Sequence, residues 1–376
     1  MSKRIIAFIL VVVLALPLFA GCARERTVTT GEVGVIQERK SQNIYIGGWS
    51  VEQFNALGFA YGDSLNICFD NGKTIEDIPY YSGYYTPVGG LLACGNEGSP
   101  HVVIVRNCGA STWEEFGLTN ASKVTVTLAE KGKYQHRQAL FAAGYSDKRE
   151  DYDSDSAFAN FRAVKGGKLQ ENAFYRSASP CDNTRCRAAY ADKFVGQAGI
   201  RFVLNFSDNA QKYQAHTARA DFQSPHYDAL YREGNVLLLA ADVNYREDVF
   251  AKKLSKGFLA MTEREKPVLI HCVEGKDRTG FACALLLALA GASAQEIADD
   301  YMLTFKNYYG ITQQKNPEQY EAVLENVYDF FDCLCGAEKG TMPEASALKT
   351  GAENYLRRGG LSQAHIAAIE GYLAGE

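Results

Sequence analysis

The stretch Pro267-Val268-Leu269-Ile270-His271-Cys272-Val273-Glu274-Gly275-Lys276-Asp277-Arg278-Thr279-Gly280, followed by the apolar run 281–290, decides how the second half of this chain folds. An apolar strand, a tight loop and the start of an apolar helix follow one another without a break. Such a loop turns successive backbone N–H groups inward, and with the positive end of the helix it makes a socket for a dianion. Gly275 lets the loop close, and residues Val273, Glu274, Gly275, Lys276, Asp277 and Arg278 form its rim. The same field favours a thiolate at Cys272, placed to attack phosphorus from below. Arg278, six positions on, returns over the socket and offers two equatorial oxygens its planar fork. Thr279 is expected to hydrogen-bond the sulfur, with His271 as support. A nucleotide-binding P-loop is excluded, because Lys276 is followed by Asp277 and residue 270 is Ile where that motif needs Gly.

Cys-x5-Arg preceded by His and followed by Thr-Gly resembles the signature of the cysteine-dependent protein tyrosine phosphatase superfamily. The fuller string from His271 to Gly280 is similar to its bacterial dual-specificity and lipid-phosphatase-like branch. Asn160-Phe161-Arg162-Ala163-Val164 with Gly166-Gly167, and Phe174-Tyr175-Arg176-Ser177, resemble two further motifs of that branch, so the likeness covers about residues 153–376. It implies a phosphomonoester hydrolase that works through a phosphocysteine and needs no cofactor or metal. One departure is visible: where the branch carries Asp-Leu-Arg, this chain has Asn205-Phe206-Ser207.

The leaving oxygen needs a proton, and the carboxyl that gives it then activates the hydrolytic water. Asp277, inside the loop, and Asp242, 30 residues before the nucleophile, compete for this role, with Asp208 third. Lys276 adds a cation at the rim that suits substrates with several phosphates. The expected substrates are phosphorylated proteins, with inositol polyphosphates or phosphoinositides as the alternative within enzymes. A phospho-ligand binding protein without turnover is the alternative of another class.

Upstream, residues 201–206, 236–240 and 268–270 read as buried strands, and 184–197 and 249–263 as helices. Past residue 278 the chain is mostly helical, with a capping box at Ser293 and Glu296, a start at Asn316-Pro317 and a cap at Ser362. The fold class is thus an α/β phosphatase domain over 153–376, a central sheet flanked by helices. Residues 44–146 differ in texture: the runs 64–69, 102–105 and 124–128, separated by Gly, Asn and Asp turns, predict an N-terminal all-β domain. The run Tyr80-Tyr81-Ser82-Gly83-Tyr84-Tyr85 reads as aromatic packing on that barrel, with a ligand-stacking role as the minor alternative.

At 376 residues the chain has room for about two and a half domains of ordinary size. Hydrophobic residues make up 47% and charged residues 22%, which excludes wholesale disorder. With 39 Lys and Arg against 44 Asp and Glu and no long block of one sign, a nucleic-acid partner is excluded. Lys3 and Arg4, an apolar run from residue 5 to 16, and Ala20-Gly21 before Cys22 have the three regions of a secretory signal. The end of this segment resembles a bacterial lipobox, which implies lipidation of Cys22 and an extracytoplasmic protein anchored in the cell membrane. Residues 5–20 fall short of the roughly 20 needed to span a bilayer. Cleavage after residue 21 removes two cations and lowers the formal charge from −5 to −7, so the acyl chains and not a basic patch would hold the protein. Residues 22–43 are expected to be a linker. Cys181/Cys186 and Cys333/Cys335 are the cysteines nearest in sequence; separate or bridged thiols are favoured there over a metal site, because C-x4-C with C-x-C is not a usual ligand spacing.

Overall fold

The computed structural model describes residues 27–96 and 99–376. The predicted leader 1–21 and the lipidation site Cys22 lie outside the described residues. Seven strands, β1 (Thr29–Gln37), β2 (Ile44–Ile46), β3 (Ser64–Phe69), β4 (Thr74–Tyr81), β5 (Leu91–Cys94), β6 (Val103–Arg106) and β7 (Lys123–Glu130), close into a barrel in the order β1-β2-β6-β5-β4-β3-β7. Inward positions such as Ile44, Leu65, Ile67, Phe69, Ile104 and Val126 are buried and form its core. Closure leaves no open edge.

Strand β1 corrects the sequence reading, which has this segment as linker. Its TTGEVGVIQ buries only Val35, so the alternation is too weak to read. What makes it a strand is pairing on both sides, Val33 with Val124 of β7 and Val35 with Ile46 of β2. A second feature matters for the site. Strands β4 and β5 pair in parallel, Tyr80 opposite Ala93 and Tyr81 opposite Cys94. A parallel pair cannot be joined by a tight hairpin. The connection 82–90 therefore loops away from the barrel, and the helix Gln135–Ala143 packs against it through Phe141.

The second unit is a five-stranded sheet built from β8 (Arg162–Ala163), β9 (Phe174–Ser177), β10 (Phe202–Asn205), β11 (Val236–Leu238) and β12 (Val268–His271), in the order β11-β10-β12-β9-β8. All pairs are parallel except β8 with β9. Register sets Ser177, His271 and Asn205 side by side at the carboxyl edge of three central strands, where open α/β sheets bind ligands. The helix Asp277–Leu289 leaves this edge and is buried on every face from Thr279 onward, because the sheet and the C-terminal helices enclose it. The helix Ala294–Tyr309 starts at the predicted Ser293/Glu296 capping box, the helix Pro317–Cys335 at Asn316, and the helix Gln363–Ala374 at Ser362.

Most boundaries shift by one or two residues from the sequence reading, and two of the differences bear on the site. The helix expected from residue 184 begins at Ala188. The strand expected to reach residue 240 stops at Leu238, because Ala240 takes a left-handed conformation (φ 45°) that ends the pairing. Asp242 thus belongs to a loop. Among the described residues all nine cysteines are free, so Cys181/Cys186 and Cys333/Cys335 are not bridged. No helix of the described residues is long and apolar enough to cross a membrane.

Candidate active site

The phosphate loop is held from beneath by its carbonyls. Val273 O accepts from Ser179 N at 2.9 Å, and Glu274 O accepts from the Tyr308 hydroxyl and from Asn160 Nδ2. Gly275 O accepts from Arg176 Nη2 at 2.8 Å and again from Asn160 Nδ2, and Lys276 O from Gly280 N. His271 Nδ1 faces Cys272 O at 3.2 Å. With these five carbonyls occupied on the outside, the amides are left over: none of the backbone N–H groups of residues 273–279 donates to an acceptor among the described residues. A peptide unit fixed through its oxygen has its N–H fixed as well, so the loop is a preformed anion socket at a helix N-terminus.

Gly275 is required twice. Its φ of 66° is left-handed, and an added Cβ would lie 2.1 Å from Ser177 O. Cys272, at the foot of the loop, is 3% exposed. Arg278 donates from Nη1 to Ala241 O at 3.2 Å and Phe206 O at 3.5 Å, while its buried Nε has no partner among the described residues. One corner of the guanidinium is thus anchored, and Nε, on its bidentate edge, is unpaired and suited to an oxyanion.

The groups under the loop form a charged cluster. Asp300 binds Arg176 and lies 3.4 Å from Arg162, and Arg162 donates to Asn160 Oδ1 at 2.6 Å. Burial opposes the charge on Asp300, yet the two arginines hold its carboxyl below the usual range. Asn160 has a left-handed φ of 50°, which directs its amide at two loop carbonyls. His271 is fully buried; desolvation pushes its imidazole down to about 4, so it is neutral.

Several expected roles change. Glu274 contributes no side chain to the socket: its carboxylate accepts from Tyr145, lies 2.8 Å from Lys276 Nζ and is near Arg185. Burial works against that charge, but Lys276 outweighs it and keeps the carboxyl ionised. Lys276 is therefore a neutralised cation, not a free one awaiting a second phosphate. Thr279 Oγ1 is buried without a partner among the described residues, so its expected bond to the Cys272 sulfur is not formed in this state. Asp208 is enclosed: Asn205, Cys181 and His216 contact its carboxylate, and although burial raises it, Asn205 and the nearby histidines hold it low. An ionised, enclosed carboxylate is a poor proton donor to a leaving group.

Asp277 and Asp242 are both accessible. The Asp277 side chain is 49% exposed, with Lys276 Nζ 3.9 Å away, and Asp242 is exposed, accepting from Val243 N at 2.7 Å. Both carboxylates act on the Cys108 thiol, which burial first and these charges second push up. Cys108 comes from the barrel and lines one cleft with Asp277 and with Val243, the neighbour of Asp242. Sequence reasoning missed Asp300, Tyr308 and Tyr145 altogether; Asn160, Arg162 and Arg176 stood in quoted motifs, but nothing in the sequence assigned them to the loop.

A sequence model described as the tyrosine phosphatase family matches residues 158–375, more than half of the chain, and the chain belongs to that family. It is 30% identical to the triple specificity protein phosphatase PtpB of Mycobacterium tuberculosis over 131 aligned residues, 29% of this chain and 45% of PtpB. It is 45% identical over 60 residues to a Cupriavidus necator protein named as a tyrosine-protein phosphatase, 16% of this chain and 20% of that relative. The chain thus spans less than half the length of either relative. The barrel lies outside the residues matched by the family model.

Proposed function

We propose that the chain hydrolyses phosphomonoesters through a phosphocysteine, acting as a protein tyrosine or dual-specificity phosphatase. The observation that carries this reading is the loop in which five carbonyls face outward and seven N–H groups remain for a dianion. In the first step the Cys272 thiolate attacks phosphorus, the P–S bond forms, and the P–O bond to the leaving group breaks. Arg278 and the loop amides hold the three non-bridging oxygens as charge redistributes. Asp277 or Asp242 gives the leaving oxygen its proton. The same carboxylate then takes a proton from water, which attacks phosphorus, breaks the P–S bond and regenerates the thiolate.

The neutralised Lys276 favours singly phosphorylated substrates over inositol polyphosphates. The test is turnover by the reduced protein on p-nitrophenyl phosphate, a phosphotyrosyl peptide and inositol hexakisphosphate, with Cys272→Ser as control. The expected result is a loss on the order of 10⁴-fold or more in the variant; equal rates for parent and variant would sink the mechanism. A parent faster on inositol hexakisphosphate than on the peptide would overturn the substrate class.

Our reading also includes a lipid-anchored, extracytoplasmic location, supported by the segment preceding Cys22. Seven residue steps separate Cys22 from Thr29, at most about 25 Å of extended chain, so the barrel would lie close to the bilayer. Cys22→Ser should move the protein out of the membrane fraction, and a variant that still sediments with membranes refutes the anchor.

A further inference from the structure

We infer that the barrel builds the leaving-group wall of the catalytic cleft and selects phosphomonoesters whose oxygen is carried by a flat aromatic ring. This rests on the proposed activity and adds a function for the unit that the family match leaves out.

The connection 82–90, displaced from the barrel by the parallel β4–β5 pair, carries Tyr84 and Tyr85. Tyr84 is one of few large apolar side chains left in the open, 50% exposed. The Tyr85 ring stacks on Phe141 with centroids 5.5 Å apart, and its carbonyl accepts from Arg137. Arg137 also donates to Ala322 O and to Asn326 Oδ1, so a single buried guanidinium joins this turn to the helix Pro317–Cys335. The turn after β6 completes the wall. Asn107 Nδ2 donates to Thr86 O at 2.7 Å, and Cys108 O accepts at 2.6 Å from Asn244, two residues beyond Asp242. The wall is thus tied to the loop that bears one candidate acid.

Between wall and loop lies a cleft of about 340 Å³, bordered by Tyr84, Tyr85, Val88, Val243, Lys276 and Asp277. That is at the small end of the range for small-molecule sites. The cations among its lining residues are Lys276 and Arg137, and both are occupied, Lys276 by Glu274 and Arg137 by the seam. No second phosphate finds a free positive partner there, whereas rings and aliphatic groups line the route out from Asp277. An aromatic leaving group gains ring contact with Tyr84 that an alkyl chain does not.

The test uses the mature chain carrying Cys272→Ser, with and without Tyr84→Ala or Tyr84→Phe, and measures binding of a phosphotyrosyl peptide, its phosphoseryl counterpart and inorganic phosphate by calorimetry. Tyr84→Ala should weaken the phosphotyrosyl peptide by about three- to tenfold, leave inorganic phosphate within twofold, and narrow the preference over phosphoserine; Tyr84→Phe should restore it. Unchanged peptide affinity in Tyr84→Ala, or an equal loss for peptide and inorganic phosphate, overturns the inference. Turnover by the Cys272 parent is measured alongside. An inactive parent whose peptide preference depends on Tyr84 refutes the hydrolysis and supports the wall. An active parent indifferent to Tyr84 does the reverse.

Discussion

Across one cleft the phosphate loop 272–279 and the barrel turn 82–90 are held by different physics. Beneath the loop lie buried charges and hydrogen bonds: Arg176, Arg162 and Asp300 with Asn160 and Tyr308, each aimed at a backbone carbonyl or at a neighbour that is. The turn combines ring packing, Tyr85 on Phe141 and Phe141 against Tyr309, with hydrogen bonds from Arg137, Asn107 and Arg106 to its carbonyls, and no buried ion pair of the Asp300 kind is found under it among the described residues. On the proposed function, the difference follows from what each surface would have to do. Transition-state stabilisation needs amides fixed before the reaction begins, and directional hydrogen bonds to the carbonyls of the same loop fix its backbone closely. A wall that contacts a ring needs shape and apolar area, which tolerate small shifts.

Substitutions on the loop side of the cleft should have larger effects than those on the wall. Replacing the true general acid should cost roughly 10²–10⁴ in turnover of an aryl phosphate with a poor leaving group, and should flatten the pH–rate profile. Asp277→Asn and Asp242→Asn, measured side by side, assign the role; if neither slows that substrate, both assignments fail. Next comes the cluster under the loop. Asp300→Asn leaves two buried guanidinium groups without their counter-ion, and Asp300 is itself only 8% exposed. Urea unfolding should show a loss of about 3–5 kcal/mol. A loss under 1 kcal/mol would mean that the loop is not supported by charge.

His271 gives a pH-dependent prediction. In the unfolded chain its imidazole takes a proton below about pH 6.5, while burial holds the folded group down to about 4. Its contribution to stability is therefore complete above pH 6.5 and is lost as the pH falls from there towards 4, in total about 3 kcal/mol. His271→Gln should flatten the fall of the urea midpoint over this window; an unchanged slope would show that His271 is not the group responsible. The Tyr84 substitutions described above carry the smallest effect, and they should leave stability almost unchanged because Tyr84 is half exposed.

Much of the α/β part could be read from sequence because its signals are local. A buried parallel strand needs an unbroken apolar run, a phosphate loop needs its residues consecutive, and a capping box needs two residues three apart, as at Ser293 and Glu296. Strand β1 escaped because only Val35 faces the core and its pairing partners lie as far away as Val124. The pairing of the Glu274 and Lys276 side chains escaped for a related reason. As neighbours of Cys272 they read as socket residues, and only Tyr145 and Arg185, distant in the chain, draw the Glu274 carboxylate aside, where it pairs with Lys276.

From sequence alone came the candidate nucleophile Cys272, its partner Arg278, the glycine that closes the loop and the family they resemble, since all of these are read from the order of neighbouring residues. Tertiary structure decided what lies under the loop and opposite it. Asp300 meets Arg176 across 124 positions, and Cys108 reaches the candidate acids from another sheet. Pairings of that kind are set by how sheets and helices pack in space, and no local periodicity records them.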